Sequence, residues 1–347
     1  MKRVALLLVA VLLGSLALAA CNPTAATPTP AASNAGSGAG AQTADPNEEY
    51  IFVSSMGNLE FFNAVKYGWK WAGEKLGVKT SYVGPAEFDL NAQVAAFEQA
   101  IARKPKGIAV FAVDPVLTPV INKAVDAGIP VVTVIGDQPD SKRLAYVGSN
   151  QYDLGFMGGT RIAEAIGGEG KVAILSIPGT QMFDDRAAGY EAAFAKYPGI
   201  EVVQTGDTKA DTVTAVNVAK DIMTRFPDLA AFVGTDSTGG IGAGTAVKEA
   251  GKSGQVKVVA MDRNSDVLDL IDKDVLYGTV AQDDVDNPYW ALMILYNYVH
   301  NQAPLTTDNA AAGAIVGPSF VTTHANWVDK TNLKYFLDAN SLYATAK

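Results

Sequence analysis

The sequence predicts an α/β protein: two doubly wound, parallel-sheet lobes joined by a three-segment hinge. Three observations carry that expectation. From residue 50 onward, short apolar runs alternate with helical stretches. The alternation runs to about residue 150 and then starts again. Helix stops carry Gly just past the last turn, as in "EKLGV", "VDAGIP" and "KEAGKS". Strands separated by helices of this length pair in parallel through right-handed crossovers.

In order, the first cycle reads "YIFVSS", a helix at 59–76, "VKTSYV", a helix at 89–103, "GIAVFAV", a helix at 116–127, "IPVVTVI" and "RLAYVG". A helix at 152–166 leads into the second cycle. That cycle reads "KVAILSI", 184–196, "IEVVQT", 211–225, "LAAFVG", 239–250, "VKVVAM", 265–273, "YGTVAQ" and 286–300. The lobes are expected to comprise 49–150 plus 283–312 (N-terminal) and 151–282 plus 313–347 (C-terminal), with crossings near 149–152, 282–285 and 311–315. The long aromatic tail, "NWVDKTNLKYFLDANSLY", either packs along the second lobe or reaches the hinge.

The front of the chain reads as address rather than fold. "MKR" is a positive start and "VALLLVAVLLGSLALAA" an apolar run somewhat short for a span. The run ends at "LAAC", a bacterial lipobox pattern, so 1–20 reads as a lipoprotein signal peptide and Cys21 as the lipidated residue. Acyl chains on Cys21 would hold the protein to the outer face of a cell membrane without a spanning helix. Residues 21–48 are rich in Pro, Thr, Ala and Gly without apolar period and read as a flexible tether.

Composition excludes several classes. The 347 residues suggest about two domains, and 48% apolar content is ample for a core. A net charge of −9 argues against nucleic acid, whose binders need a basic face. One Cys and two His cannot build a disulfide framework, a Cys/His metal cluster or a Cys–His dyad. No metal or organic cofactor is implied.

Ligands of doubly wound sheets bind beyond the carboxyl ends of the strands. There the sequence repeatedly places acids: Asp114 after 107–113, Asp137 after 130–135, Thr235-Asp236 after 229–234, Asp262 after 256–261, and Gln282 at the end of 277–281. Each Asp is also a good helix N-cap, and Asp114-Pro115 is an N-cap followed by Pro at the first helical position. Carboxylates and a carboxamide facing one cleft can each accept neighbouring hydroxyl protons, which suits a polyol. Arg186, in "QMFDDRAAGYEAAF", supplies a fixed bidentate donor, unless it pairs with Asp184 or Asp185. Phe61 and Phe62, in the loop "GNLEFF", are core residues or stacking surfaces for the C–H face of a sugar ring.

Taken together, "GNLEFFNAVKYGWKWAGEKLG", "KPKGIAVFAVDP", "INKAVDAGIPVVT", "YVGSNQYDLGFMGG", "DRAAGYEAAF", "VVAMDRNSDVLDLI" and "GTVAQ" resemble the periplasmic sugar-binding proteins of the ribose/galactose type, which feed ABC importers. The resemblance covers roughly 50–310 and implies Rossmann-like lobes closing on a monosaccharide. It implies that Phe61 and Phe62 clamp the ring, beside Asn58, Asp114, Asp137, Arg186, Thr235, Asp236, Asp262 and Gln282. It also implies a monomeric, extracytoplasmic receptor with an ABC permease as partner, and no enzyme activity.

The departures bear on the ligand. Ribose binders carry Asp-Arg directly after the fourth strand, whereas this chain has "VIGDQPD". Thr235 stands where Asn is usual. Near 207–211, "DTKAD" offers no second-lobe stacking aromatic, and Phe183 is expected to cover that role. The alternatives are a sugar sensor feeding a chemoreceptor or signalling partner, a carbohydrate-active enzyme with paired carboxylates, a repressor lacking its helix-turn-helix, and a nucleotide binder. "GTDSTGGIGAG" has no phosphate-binding Lys, and close helix–strand packing explains its glycines better.

Overall fold

The computed structural model describes residues 45–344. The expected signal peptide, Cys21 and most of the tether lie outside the described residues. The first cycle forms β1 (Glu49–Val53), α1 (Phe61–Leu76), β2 (Lys79–Val83), α2 (Leu90–Ala102), β3 (Gly107–Val110), α3 (Thr118–Asp126), β4 (Val131–Val134) and β5 (Ala145–Gly148). The second forms α4 (Gln151–Ala165), β6 (Glu169–Ser176), α5 (Gln181–Phe194), β7 (Gly199–Asp207), α6 (Thr212–Arg225), β8 (Leu229–Gly234), α7 (Ser237–Glu249), β9 (Lys257–Met261), α8 (Ser265–Asp272) and β10 (Gly278–Gln282). The chain ends with α9 (Asp286–His300), β11 (Phe320–Thr322), β12 (Ala325–Val328) and α10 (Leu333–Tyr343).

Two six-stranded sheets result, in the orders β2-β1-β3-β4-β5-β11 and β7-β6-β8-β9-β10-β12. Every pairing is parallel except β10 with β12. In each sheet the strand order reverses beside the first strand, and a crevice opens at such a switch point. The inner strands are buried on both faces, so they read as unbroken apolar runs. The two-lobed α/β expectation therefore holds.

Two boundaries differ from expectation. The third crossing lies at 323–324, between β11 and β12, rather than near 311–315. The segment Phe320–Thr322 adds a parallel edge strand to the first sheet, so the tail from 313 is shared between lobes rather than assigned to the second. At the front, Glu48 belongs to the folded body rather than the tether. Its carboxylate lies 2.7 Å from His300 Nε2, and its carbonyl accepts from the Lys79 amide at 2.9 Å.

Glycines set one approach that positions the site. A Cβ at Gly155 of α4 would lie 1.9 Å from the Arg186 carbonyl oxygen, and one at Gly189 of α5 would lie 2.1 Å from that of Tyr152. The two helices therefore cross with backbones touching, and this brings Gln151 of α4 to Arg186 of α5. The glycines of α7 act in packing as expected: a Cβ at Gly240 would meet Ala260 of β9 at 2.3 Å. Among the described residues no helix is long and apolar enough to cross a membrane.

Candidate functional site

The carboxyl ends of β6, β8, β9 and β10 converge on Arg186. Its guanidinium is 1% exposed. Nε donates to Gln151 Oε1 at 2.8 Å and Nη1 donates to the Thr235 carbonyl at 2.7 Å. Nη2 has no partner. The alternative of a pair with Asp184 or Asp185 does not hold, because Asp184 accepts from the Gly179 amide and Asp185 from Gln181. Phe183 places its ring 5.6 Å from the guanidinium carbon, within cation–π range.

The acids around it differ in their commitments. Asp236 is the N-cap of α7, taking the Gly239 amide at 2.9 Å on one oxygen and the Thr238 hydroxyl on the other. Asp262 accepts from Gln282 Nε2 at 2.9 Å. Burial pushes the Asp262 carboxyl above the usual range, Arg186 and Gln282 oppose that, and Asp236 adds to it. Its backbone is left-handed, at φ +67. Thr235 donates its hydroxyl to Ser176 Oγ at 3.1 Å. Two buried acceptors are left without donors here, Gln282 Oε1 and Asn264 Oδ1. Asn264 was missed in the sequence, where "DRNSD" reads as an ordinary helix start.

The first lobe contributes a mostly apolar surface. Phe61 and Phe62, the first two residues of α1, pack edge-to-face at 87° with centroids 5.1 Å apart, and Phe62 meets Phe111 at 80° and 5.2 Å. Both are buried in one cluster with Phe111, Val134 and Ile135. Met182 of α5 packs onto that cluster from the second lobe. The choice posed for Phe61 and Phe62, core or cleft, thus has a joint answer: they belong to a core cluster whose outer side meets the opposite lobe. Buried polar atoms without partners in this lobe include Ser55 Oγ after β1 and Gln93 Oε1 of α2.

Three expected residues are engaged in other hydrogen bonds. Asn58 is exposed and donates to Glu87 Oε1 at 2.9 Å, so its amide is engaged at the surface. Asp114 acts as an N-cap, accepting from the Val116 amide at 2.8 Å. Asp137 is bound twice by Arg143, at 2.5 and 2.7 Å, and also accepts from the Thr133 hydroxyl and the Gln138 amide. The position directly after β4 belongs instead to Ile135.

The lobes are joined across the cleft by side chains as well as by backbone. Gln151 donates to the Ile135 and Ser149 carbonyls at 3.2 and 3.1 Å while holding Arg186. Glu60, just before α1, accepts from the Ser265 amide at 3.0 Å and from its hydroxyl, capping α8 of the other lobe. Helix α10 reaches both lobes: Tyr343 packs on Tyr67 of α1 with centroids 5.1 Å apart, and Asn340 donates to the Arg263 carbonyl at 2.6 Å. The tail therefore packs on the second lobe, as one of the two expectations has it, and also touches α1 of the first. A cavity of about 20 Å³ beside Phe61, Arg263, Asn264, Asp284 and Tyr343 has room for about one water and none for a sugar ring. Asp284, in the second crossing, is buried 3.3 Å from Arg263, and burial pushes its carboxyl up to about 6 against that partner.

Known proteins resemble this chain in sequence and fold. The family described as periplasmic binding protein domain matches residues 50–303. The D-allose-binding periplasmic protein of Escherichia coli K12 is 27% identical over 286 residues, covering 79% of this chain and 92% of its own length. A ribose import binding protein of Bacillus subtilis is 28% identical, covering 67% of this chain and 75% of itself. Among solved structures, the arabinose-binding protein AraP of Geobacillus stearothermophilus superposes with a TM-score of 0.77 at 32% identity, covering 84% of this chain and 99% of its own.

Proposed function

Because the chain belongs to the periplasmic binding protein family through residues 50–303, we propose that it captures a monosaccharide between its two lobes and presents it to an ABC permease. The ligand is a pentose, a hexose or a related polyol, and the protein acts by binding, without catalysis. The relatives named for allose, ribose and arabinose support a sugar. The single observation that carries the reading to this chain is the unpartnered Nη2 of buried Arg186, with Gln282 Oε1 and Asn264 Oδ1 also unpartnered at the neighbouring strand ends. A buried donor or acceptor left unpaired costs about 1–3 kcal/mol, and a charged one more. One donor and two acceptors left open at adjacent strand ends fit a ligand that both donates and accepts, as a sugar hydroxyl does.

In this reading Phe61 and Phe62 cover the C–H face of the ring. Arg186, Asp236, Asp262, Asn264 and Gln282 read its hydroxyls. Thr235 and Gln151 hold Arg186 in place. The lobes open by rotation about the crossings at 149–150, 283–285 and 323–324, and sugar shifts the population toward the shut form bridged by Glu60 and Ser265. The permease recognises that form. Lipidation at Cys21 and the segment after it keep the monomeric receptor at the outer face of a cell membrane.

A thermal-shift screen against pentoses, hexoses and polyols tests this directly. A ligand at a hundredfold excess over its Kd stabilises the folded protein by about 2.7 kcal/mol, which is a shift of several degrees. At least one monosaccharide should produce it. A flat response across the whole panel at millimolar sugar removes the proposal.

A further inference from the structure

The two lobes use the same backbone device at the end of their fourth strand, with opposite chemistry on it. Ile135 follows β4 and Asp262 follows β9, and both have φ +67. The Ile135 amide donates to the Val147 carbonyl of β5 at 2.9 Å, and the Asp262 amide donates to the Val280 carbonyl of β10 at 2.9 Å. Each carbonyl is held by a hydroxyl from that next strand: Tyr146 donates to Ile135 at 3.0 Å, and Thr279 donates to Asp262 at 2.7 Å. The correspondence is position by position, since Tyr146 precedes Val147 and Thr279 precedes Val280.

Asp tolerates the left-handed region, whereas for a β-branched residue it is an outlier. At Ile135 the strain is greater still. The Gly136 amide donates to the Val134 carbonyl at 2.7 Å, so Ile135 is the centre of a γ-turn of the rare, positive-φ kind. Strained residues of this sort persist where the surroundings over-determine them, and they concentrate at ligand sites. Ile135 sits in the cluster of Phe61, Phe62 and Phe111, on which Met182 packs from the opposite lobe.

Neighbouring residues do not restore the missing polar group. A Cβ at Gly136 would lie 2.8 Å from Val113 Cγ1 and 2.9 Å from the Ala112 carbonyl, so no side chain fits there. The Asp137 carboxylate is held by Arg143. The end of β4 is therefore hydrocarbon where the end of β9 is carboxylate.

We propose that Ile135 sets specificity, selecting a sugar that turns a deoxygenated carbon, a methyl or a C–H group, toward the end of β4 while its hydroxyls face Asp262 and Arg186. The inference rests on the sugar-binding reading and narrows it. A hydroxyl placed against Ile135 would lose its water without gaining a partner, whereas a methyl or C–H group packs.

The experiment is a set of calorimetric titrations on sugar pairs of one series that differ by one hydroxyl: D-fucose and D-galactose, D-rhamnose and D-mannose, 2-deoxy-D-ribose and D-ribose. The wild type should bind the deoxy member at least tenfold more tightly in at least one pair. Ile135→Asn adds a hydrogen-bonding side chain and is tolerated at positive φ. It should cut that ratio at least tenfold, chiefly by improving the hydroxylated member. If sugars bind but no pair favours the deoxy member in the wild type, the inference falls and sugar binding stands. An unchanged ratio in Ile135→Asn overturns it equally. If Ile135→Asn does not fold, the wild-type ratios decide the matter by themselves. If no monosaccharide binds at all, both readings fall together.

Discussion

Replacing Asp262 with Asn separates ligand binding from folding at one atom pair. Asn tolerates the left-handed backbone, so the φ of +67 needs no readjustment. The Asn carbonyl oxygen still accepts from Gln282 Nε2, now 2.9 Å from the carboxylate. What disappears is the charge and the second acceptor oxygen. Hydrogen bonds to charged groups contribute about 1.5–3 kcal/mol, so sugar affinity should fall roughly 10- to 150-fold. Stability without sugar should move the other way or stay level. Burial raises the folded-state pKa of Asp262, so ionising its carboxyl costs more in the folded protein than in the unfolded chain. An acid shifted upward withdraws stability as pH rises through its folded pKa, and an Asn carries no such cost. Calorimetric titration and sugar-free melting, both at pH 7, read the two effects apart. Unchanged affinity would remove Asp262 from the site. An earlier sugar-free melt together with unchanged affinity would make it a purely structural residue and refute the assignment outright.

Further outcomes follow from the same geometry. Asp284, raised to about 6 from 3.8 by burial, withdraws about 3 kcal/mol of stability as pH rises from about 4 to 6. In denaturant titrations across that window, the slope of stability against pH should therefore be more positive in Asp284→Asn than in the wild type, and equal slopes contradict the assignment. Gln151→Leu removes both the Arg186 support and the bond to the Ile135 carbonyl, so sugar affinity should drop at least tenfold and the sugar-free protein should become more extended by small-angle scattering. Neither change in that variant would mean that Gln151 only fills space. Phe62→Leu keeps apolar volume but loses the flat face; affinity should fall at least tenfold, about 1.4 kcal/mol, with melting lowered by only a few degrees. Normal binding with a much earlier melt would assign Phe62 to the core alone. Cys21→Ser should release the mature protein from membranes with sugar affinity intact, and continued membrane fractionation after signal cleavage would count against the lipid anchor.

Much of the architecture is legible because parallel strands are buried on both faces and announce themselves as apolar runs. In the second lobe, Thr235, Asp236, Asp262 and Gln282 are polar residues at the ends of such runs, and Arg186 lies on α5 beside them; Arg186 donates to the Thr235 carbonyl and Gln282 to Asp262. The same habit misplaced the first-lobe counterpart. Looking for an acid after β4 selected Asp137, which belongs to Arg143, while the residue at the equivalent backbone position is Ile135, which looks like the last residue of the strand. Asn58 failed for a related reason: a polar loop residue next to two buried aromatics gave no sign that Glu87, far along the chain, takes its amide. Gln151 and Asn264 stand at helix starts, where a polar residue has an ordinary capping explanation. Phe320–Thr322 is a three-residue edge strand, too short to show a period, so the third crossing appeared about ten residues early.

The central claim is that a sugar hydroxyl occupies the gap at Arg186 Nη2. A crystal structure grown with the monosaccharide that gives the largest thermal shift tests it most directly. A ring should lie against Phe61 or Phe62, with one hydroxyl within hydrogen-bond distance of Nη2 and another on Asp262. A sugar bound elsewhere on the protein, or a shut cleft in which Nη2 remains without a sugar oxygen, would contradict it.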